Sequence, residues 1–278
     1  MVSSIIVIGM PTIAFKINHS AKAINHKCIG YCTFKLSLSE PFKLDSVCLN
    51  RTQSDSCTVE IDIDYNTKVV DVKFLTDDTK QQRANDDDYN IDQTIRMDFN
   101  TKVIKIKVYY LCYTDDECDL TYAKLTVDRL RSLNYQPAFD DFLKILHKPD
   151  NPVTQCYNND NTVECVDGNC LALISNYSNE FDSKYCDQNG DPTETDLVIG
   201  EFRAFNKMTT LRQNKRIRYL CDTNLCNGKE FIDAVQKVVG NYDSTLSITS
   251  PYSGSATKYP YKLTTYTMIL YVFCLIFY

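Results

Sequence analysis

Cysteine is the residue of this 278-residue chain whose type and spacing promise chemistry: there are thirteen, and Cys274 alone lies in the apolar C-terminal tail. The other twelve could pair as disulfides in an oxidising compartment or hold metal as thiolates in a reducing one. Cys28 and Cys32 are separated by three residues and Cys165 and Cys170 by four, which is not a zinc-ribbon spacing, and no histidine clusters beside them. Disulfides are the expectation, with no metal and no cofactor. Catalysis has little else to draw on. The only histidines are His19, His26 and His147, and no H-E-x-x-H, nucleophile elbow or phosphate-binding glycine loop occurs. Acidic pairs such as Asp115-Asp116 read as solvated surface rather than an acid–base couple. The chain is not expected to be an enzyme.

The cysteines come in two similar series. One closes Tyr110-Leu111-Cys112 to Cys118-Asp119, the other Tyr219-Leu220-Cys221 to Cys226-Asn227. Upstream, Cys28, Cys32 and Cys48 are spaced almost as Cys165, Cys170 and Cys186. An internal repeat of about a hundred residues implies two disulfide-pinned modules rather than one large core.

Both ends fit export. Residues 5–15 are apolar and short enough for a signal-peptide core, and Ala21-Lys22-Ala23 supplies small residues for cleavage, so 1–23 is read as a signal. Tyr266–Tyr278 would cover about 20 Å as a helix, too short for a hydrocarbon core of about 30 Å. A small-residue cluster at Ser253-Gly254-Ser255-Ala256, a spacer and this tail form a glycolipid-anchor signal over 254–278, with Ser253 or Gly254 as the attachment residue. Losing both ends would remove four lysines and no acid, taking the net charge from −6 to −10. So acidic a body excludes nucleic acid as the expected partner. The sequons are Asn18-His19-Ser20, which falls in the signal, Asn50-Arg51-Thr52 and Asn176-Tyr177-Ser178; glycosylation is expected at Asn50 and Asn176.

The elements that must position these cysteines are legible in the patterning. Val59, Ile61 and Ile63 alternate, then Val70, Val72 and Phe74; Ile95, Met97 and Phe99 are followed by Ile104, Ile106, Val108 and Tyr110. These are two long β-hairpins, each with one buried face, around the similar turns Asp64–Val69 and Asp98–Val103. The acidic stretch Asp77–Asn90 between them reads as a solvated tip. Leu120, Ala123, Val127, Leu130 and Leu133 recur at helical spacing, and Pro137 opens a second helix carrying Phe139, Phe142, Leu143 and Leu146. Strands are expected again at Cys170–Ile174, Leu197–Phe205 and Arg216–Cys221, and a helix at Glu230–Val239. The resulting division is a first β module (24–118), a helical connector (119–150), a second module with a C-terminal helix (151–240) and a stalk (241–253).

Residues 156–227 resemble the three-finger superfamily of snake toxins, the urokinase receptor, lymphocyte antigens and activin-type receptor ectodomains. The resemblance rests on Thr162–Ile174, with Cys165 and Cys170, and on the closing run Cys221-Asp222-Thr223-Asn224-Leu225-Cys226-Asn227. It implies the pairs Cys156–Cys170, Cys165–Cys186 and Cys221–Cys226, and a structural role for Asn227, whose amide would tie the finger bases together. Leu220 stands where the family commonly has a further cysteine, which would leave the third finger, around 187–218, freer. The first half matches only through the repeat, as a divergent copy. Cys112 and Cys118 close it, Cys28, Cys32 and Cys48 align with Cys165, Cys170 and Cys186, and the expected pairs are Cys28–Cys48 and Cys32–Cys57.

The fold class expected is mainly β, two small disulfide-rich antiparallel modules of three-finger type joined by a helical connector. The expected function is non-enzymatic recognition of an extracellular or membrane protein from the outer face of the plasma membrane. A structural or adhesive surface-coat protein is the alternative, and a small secreted hydrolase the weakest reading. Exposed apolar or aromatic side chains clustered on a module would favour recognition; wholly polar, glycosylated surfaces would favour a spacer.

Overall fold

The computed structural model describes residues 25–75, 88–148, 153–166, 168–175, 183–188, 195–205 and 210–247. The expected signal, Asn176, Ser253, Gly254 and the anchor tail lie outside these residues, as does most of the 77–90 tip. The first module contains β1 (His26–Ile29), β2 (Cys32–Ser37), β3 (Arg51–Ser54), β4 (Cys57–Asp64), β5 (Val69–Leu75), β6 (Tyr89–Asp98) and β7 (Val103–Cys112). Helices α1 (Cys118–Ser132) and α2 (Gln136–Leu146) follow. The second module contains β8 (Gln155–Asn158), β9 (Asn161–Glu164), β10 (Asn169–Ser175), β11 (Ser183–Asp187), β12 (Asp196–Phe205) and β13 (Thr210–Cys221), then α3 (Lys229–Asn241) and α4 (Asp243–Leu246). The fold is mainly β and antiparallel, with two disulfide-rich modules and a helical connector between them.

The repeated turn sequences make the same turn twice. Asp64 Oδ1 accepts from Asn66 N (2.9 Å) and Thr67 N (3.0 Å), and Asp98 Oδ1 accepts from Asn100 N (3.0 Å) and Thr101 N (2.9 Å). Each turn ends on a left-handed lysine, Lys68 at φ 56° and Lys102 at φ 53°. An aspartate side chain standing in for a backbone acceptor is what sets such a tight return. Asn66 then locks the hairpins together, donating from Nδ2 to Lys102 O (2.7 Å) and accepting from Ile104 N (3.1 Å).

Alternation along the strands puts Val59, Ile61, Ile63, Val70, Val72, Ile95, Met97, Ile106 and Val108 on one buried face. The helices cover that face. Tyr122 of α1 stacks on Tyr110 at 3.8 Å, Phe139 of α2 meets Phe99 at 5.2 Å, and Tyr65 donates its hydroxyl to Leu130 O (2.8 Å). An aromatic pair of this kind is worth about 0.5–1.5 kcal/mol beyond the area it buries. The opposite face carries ion pairs, among them Lys107 with Glu60 and Asp62, and Arg96 and Arg218 with the buried Asp196.

The two modules share more than a connector. Nine strands form one sheet in the order β11-β10-β13-β12-β6-β7-β4-β5-β2, with β12 and β6 paired over ten residues, and a single apolar cluster spans both halves. The order is nearly a palindrome: β5-β4-β7-β6 answers β11-β10-β13-β12, so the modules face each other across a local pseudo-twofold between Thr94 and Gly200, which are paired. Strand β2 is the surplus at one edge. Strands β12 and β13, which form most of the described part of the segment expected to be freer, therefore lie near the centre of the sheet, and Leu220 is buried there. Tyr89, expected at the base of a solvated tip, is buried against Phe205 (4.7 Å) as β6 begins. Residues 241–247, expected to begin a stalk, belong to the folded body. Gln93 donates to Leu246 O (3.2 Å), Lys215 donates to Asp243 (3.0 Å), and Leu246 is fully buried.

Candidate recognition surface

Each module is closed by the same device. Cys112 pairs with Cys118 and Cys221 with Cys226, and the residue before the second cysteine is left-handed in both, Glu117 at φ 53° and Leu225 at φ 56°. That backbone turn aims the residue after the cysteine into the module. Asn227, fully buried, accepts from Tyr157 N (2.9 Å) and donates to Tyr157 O (2.8 Å), Leu171 O (3.1 Å) and Tyr185 O (3.5 Å). One amide thus joins β8, β10 and β11. Its counterpart Asp119 is equally buried and accepts from Ile29 N (3.1 Å) and Leu120 N (2.8 Å). Burial pushes the Asp119 carboxyl up to about 6, against the pull of these two backbone donors and Arg51.

The disulfides are Cys28–Cys57, Cys32–Cys48, Cys112–Cys118, Cys156–Cys170, Cys165–Cys186 and Cys221–Cys226, none of which crosses between modules. Such a set marks a protein of an oxidising, extracellular or secretory compartment. The first-module pairs Cys28–Cys48 and Cys32–Cys57 expected from the sequence are wrong. Strand β1 pairs with β3, and the bend after β3 brings Cys57 back beside Cys28. Cys32 instead opens β2, which leaves for the sheet edge against β5 and takes Cys48 with it.

The register of the repeat changes accordingly. Cys57 faces Cys112 across β4 and β7 as Cys170 faces Cys221 across β10 and β13, so Cys57 corresponds to Cys170 and Cys28 to Cys156. The hydrogen bonds agree, since Ile29 N and Tyr157 N, each one residue past its cysteine, reach Asp119 and Asn227. The counterpart of Cys156 is thus present as Cys28; β2, inserted between the strands of the first hairpin, shifts the spacing and carries its own bridge, Cys32–Cys48, while β5 has no cysteine to answer Cys186 on β11. Two groups of three sulfurs lie close together, Cys57, Cys112 and Cys118, and Cys156, Cys165 and Cys186, but every member is spent in a disulfide.

Among the described residues, the most exposed large apolar side chains gather on two of these bridges. Tyr31 (68% exposed) precedes Cys32, and Val47 (62%) and Leu49 (64%) flank Cys48; Val166 (56%) follows Cys165, and Tyr185 (39%) precedes Cys186. The remaining one is Leu125 (50%), beside an open depression lined by Tyr110, Tyr122, Thr121, Asp115 and Asp116. The two bridges sit at β2 and β11, the opposite edges of the sheet, eight strand spacings or about 38 Å apart. Both are stiffly held. Gly30 N donates to Asn50 O (3.0 Å), and Arg51 donates to Cys48 O (3.1 Å) and Leu49 O (2.8 Å) while its Nε binds Glu117 (2.6 Å). Around the second bridge, a Cβ on Gly168 would fall 2.8 Å from Asp187 O and 2.9 Å from Cys165 Sγ, so only glycine fits. Asn50 is exposed beside Leu49.

His26 is buried, and His147 stands 2.6 Å from Asp222. Asp222 also accepts from Lys148 N (2.6 Å) and donates its own N–H to Leu146 O (3.3 Å), so the pair clamps the end of α2 to the closing loop of the second module. The sequence singled out the cysteines by their spacing and Asn227 through the resemblance, but missed the apolar bridge flanks. The available signal was an apolar residue next to a cysteine and outside any alternating run. Compared with known proteins, the chain matches no family model, no curated protein and no solved structure.

Proposed function

We propose that this chain is a non-enzymatic recognition protein of the cell exterior, held by a glycolipid anchor near residue 253, whose two modules of three-finger type bind another protein through at least one of the apolar surfaces at Cys32–Cys48 and Cys165–Cys186. The observation that carries it is the placing of Tyr31, Val47, Leu49, Val166 and Tyr185. Apolar side chains in water on a covalently fixed backbone lose little freedom when covered, so their burial goes mainly into affinity. Tyrosine is also favoured at contact surfaces. The three-finger reading draws support from the closing cysteine pair and from Asn227 binding three strands. A surface-coat spacer would have no use for apolar groups at these positions, so recognition is preferred to the adhesive alternative.

The test is to express the full chain on cells, release it with a phosphatidylinositol-specific phospholipase, and screen the released protein against cell-surface proteins. Tyr31→Ser with Leu49→Ser, and Val166→Ser with Tyr185→Ser, should each leave the melting temperature in place while at least one pair lowers binding to the captured partner tenfold or more, about 1.4 kcal/mol. Retention on cells after the phospholipase would remove the anchor from the proposal. Undiminished binding in the combined variant would remove the surface.

A further inference from the structure

We infer that Asn50 carries an N-linked oligosaccharide rooted at the Cys32–Cys48 surface, and that this glycan closes the surface and leaves Val166 and Tyr185 as the open contact. The sequon Asn50-Arg51-Thr52 runs from the loop into β3, and Asn50 is exposed. Its backbone is fixed from two sides, the carbonyl accepting from Gly30 N (3.0 Å) and from Arg51 (3.4 Å). Across from it stands a glycine. A Cβ at Gly30 would stand at ordinary contact distance from Asn50 O (3.4 Å) and Asn50 Cβ (3.7 Å), so the loop that ends in Tyr31 lies directly against the root of the attachment.

The neighbours of this root are the most exposed apolar residues described. Leu49 is adjacent, Val47 is three residues back, and Tyr31 follows Gly30. A sugar ring has an apolar C–H face that can pack on such side chains, while its hydroxyls face water; a glycan is bulky and solubilising where it attaches. This accounts for how an exported chain keeps Tyr31, Val47 and Leu49 at the surface without self-association. The second bridge differs. Its flanking residues Glu164, Val166, Tyr185 and Asp187 belong to no sequon, and Asn176 lies outside the described residues.

In the attachment, Asn50 Nδ2 forms a bond to C1 of the reducing-end N-acetylglucosamine of a lipid diphosphate-linked oligosaccharide. The bond from C1 to the diphosphate oxygen breaks, the lipid diphosphate leaves with that electron pair, and one Nδ2 proton passes to a base of the transferase. Shielding controls access only if the bridges are contact sites, and so rests on the proposed function; attachment does not.

The full chain secreted from a eukaryotic cell tests both. A glycosidase that cleaves the glycan–amide bond should convert Asn50 to aspartate in the isolated peptide, and Asn50→Gln should lose one glycan's shift in gel mobility. Native deglycosylation of the folded wild-type chain, which needs no variant, should increase binding of an apolar fluorescent dye, and Tyr31→Ser with Leu49→Ser should abolish that increase. Recovery of Asn50 unmodified overturns the inference, and so does equal dye binding with and without the glycan. Neither readout involves a partner, so failure to find any partner would sink the recognition reading while leaving this one standing.

Discussion

Asp119→Asn is the substitution with the most to say about how the first module is held. The fully buried carboxyl titrates at about 6 in the folded chain, against about 3.9 when unfolded. Between these values the folded chain keeps a proton that the unfolded chain has lost. Its contribution to stability is therefore complete below pH 4 and is lost as the pH rises through 6. Two pK units correspond to about 3 kcal/mol at neutral pH. The isosteric amide removes that ionisation cost and reproduces the residue the second module uses, Asn227. One bond is sacrificed, because the carboxyl presents separate oxygens to Ile29 N and Leu120 N (a carbonyl and a hydroxyl oxygen when protonated) and the amide has only one. A lost hydrogen bond of this kind costs about 1 kcal/mol. Asp119→Asn should thus be less stable than wild type by about 1 kcal/mol at pH 4 and more stable by about 2 kcal/mol at pH 7.5. Denaturant unfolding of both proteins at the two pH values measures this, and the crossing of sign is the diagnostic. A variant equally destabilised at both pH values would refute the reasoning, since Asp119 would then be stably ionised in its buried site.

Two further substitutions probe the same scaffold. Asn227→Ala strands Tyr157 N and the carbonyls of Tyr157 and Leu171 inside the second module and should lower its stability by about 3 kcal/mol or more, read from the denaturant midpoint. Gly168→Ala drives a methyl into Asp187 O and Cys165 Sγ and should cost about 1–3 kcal/mol, with the loss seen as a lower melting temperature under non-reducing conditions.

The local parts of this fold were open to reading from the chain. Alternation from Val59 to Phe74 and from Ile104 to Tyr110 predicts strands because one face is covered by helices and the other meets water. Pro137 stands at the start of α2, where its missing N–H costs nothing. Long-range choices left no such trace. Ile95 faces Ile199 and Met97 faces Leu197, yet each strand would show the same alternation beside any partner, so the merging of two modules into one sheet was not legible. The first-module disulfides failed for a related reason: counting residues between cysteines takes the chain between them to be equivalent, and the inserted β2 breaks that equivalence. The buried tie Asn227 was readable from its place after Cys226, whereas the exposure of Tyr31 and Leu49 on the candidate surface depends on where β2 leaves the first hairpin.

The pairing of β6 with β12 also sets an order of events during synthesis. About a hundred residues separate the end of β6 from the start of β12. At about 5–20 residues per second, that interval lasts roughly 5–20 s on the ribosome. During it, the first half can assemble its hairpins and disulfides, but β6 keeps one row of backbone groups unsatisfied. Until α4 follows, it also lacks the cover that Leu246 provides over Gln93. An open strand edge invites pairing with a neighbouring nascent chain. Asp92 and Arg96, exposed on this strand, place charge at that edge while it waits. The first half is thus completed by the second, and the vulnerable stage in making this protein is the time between them.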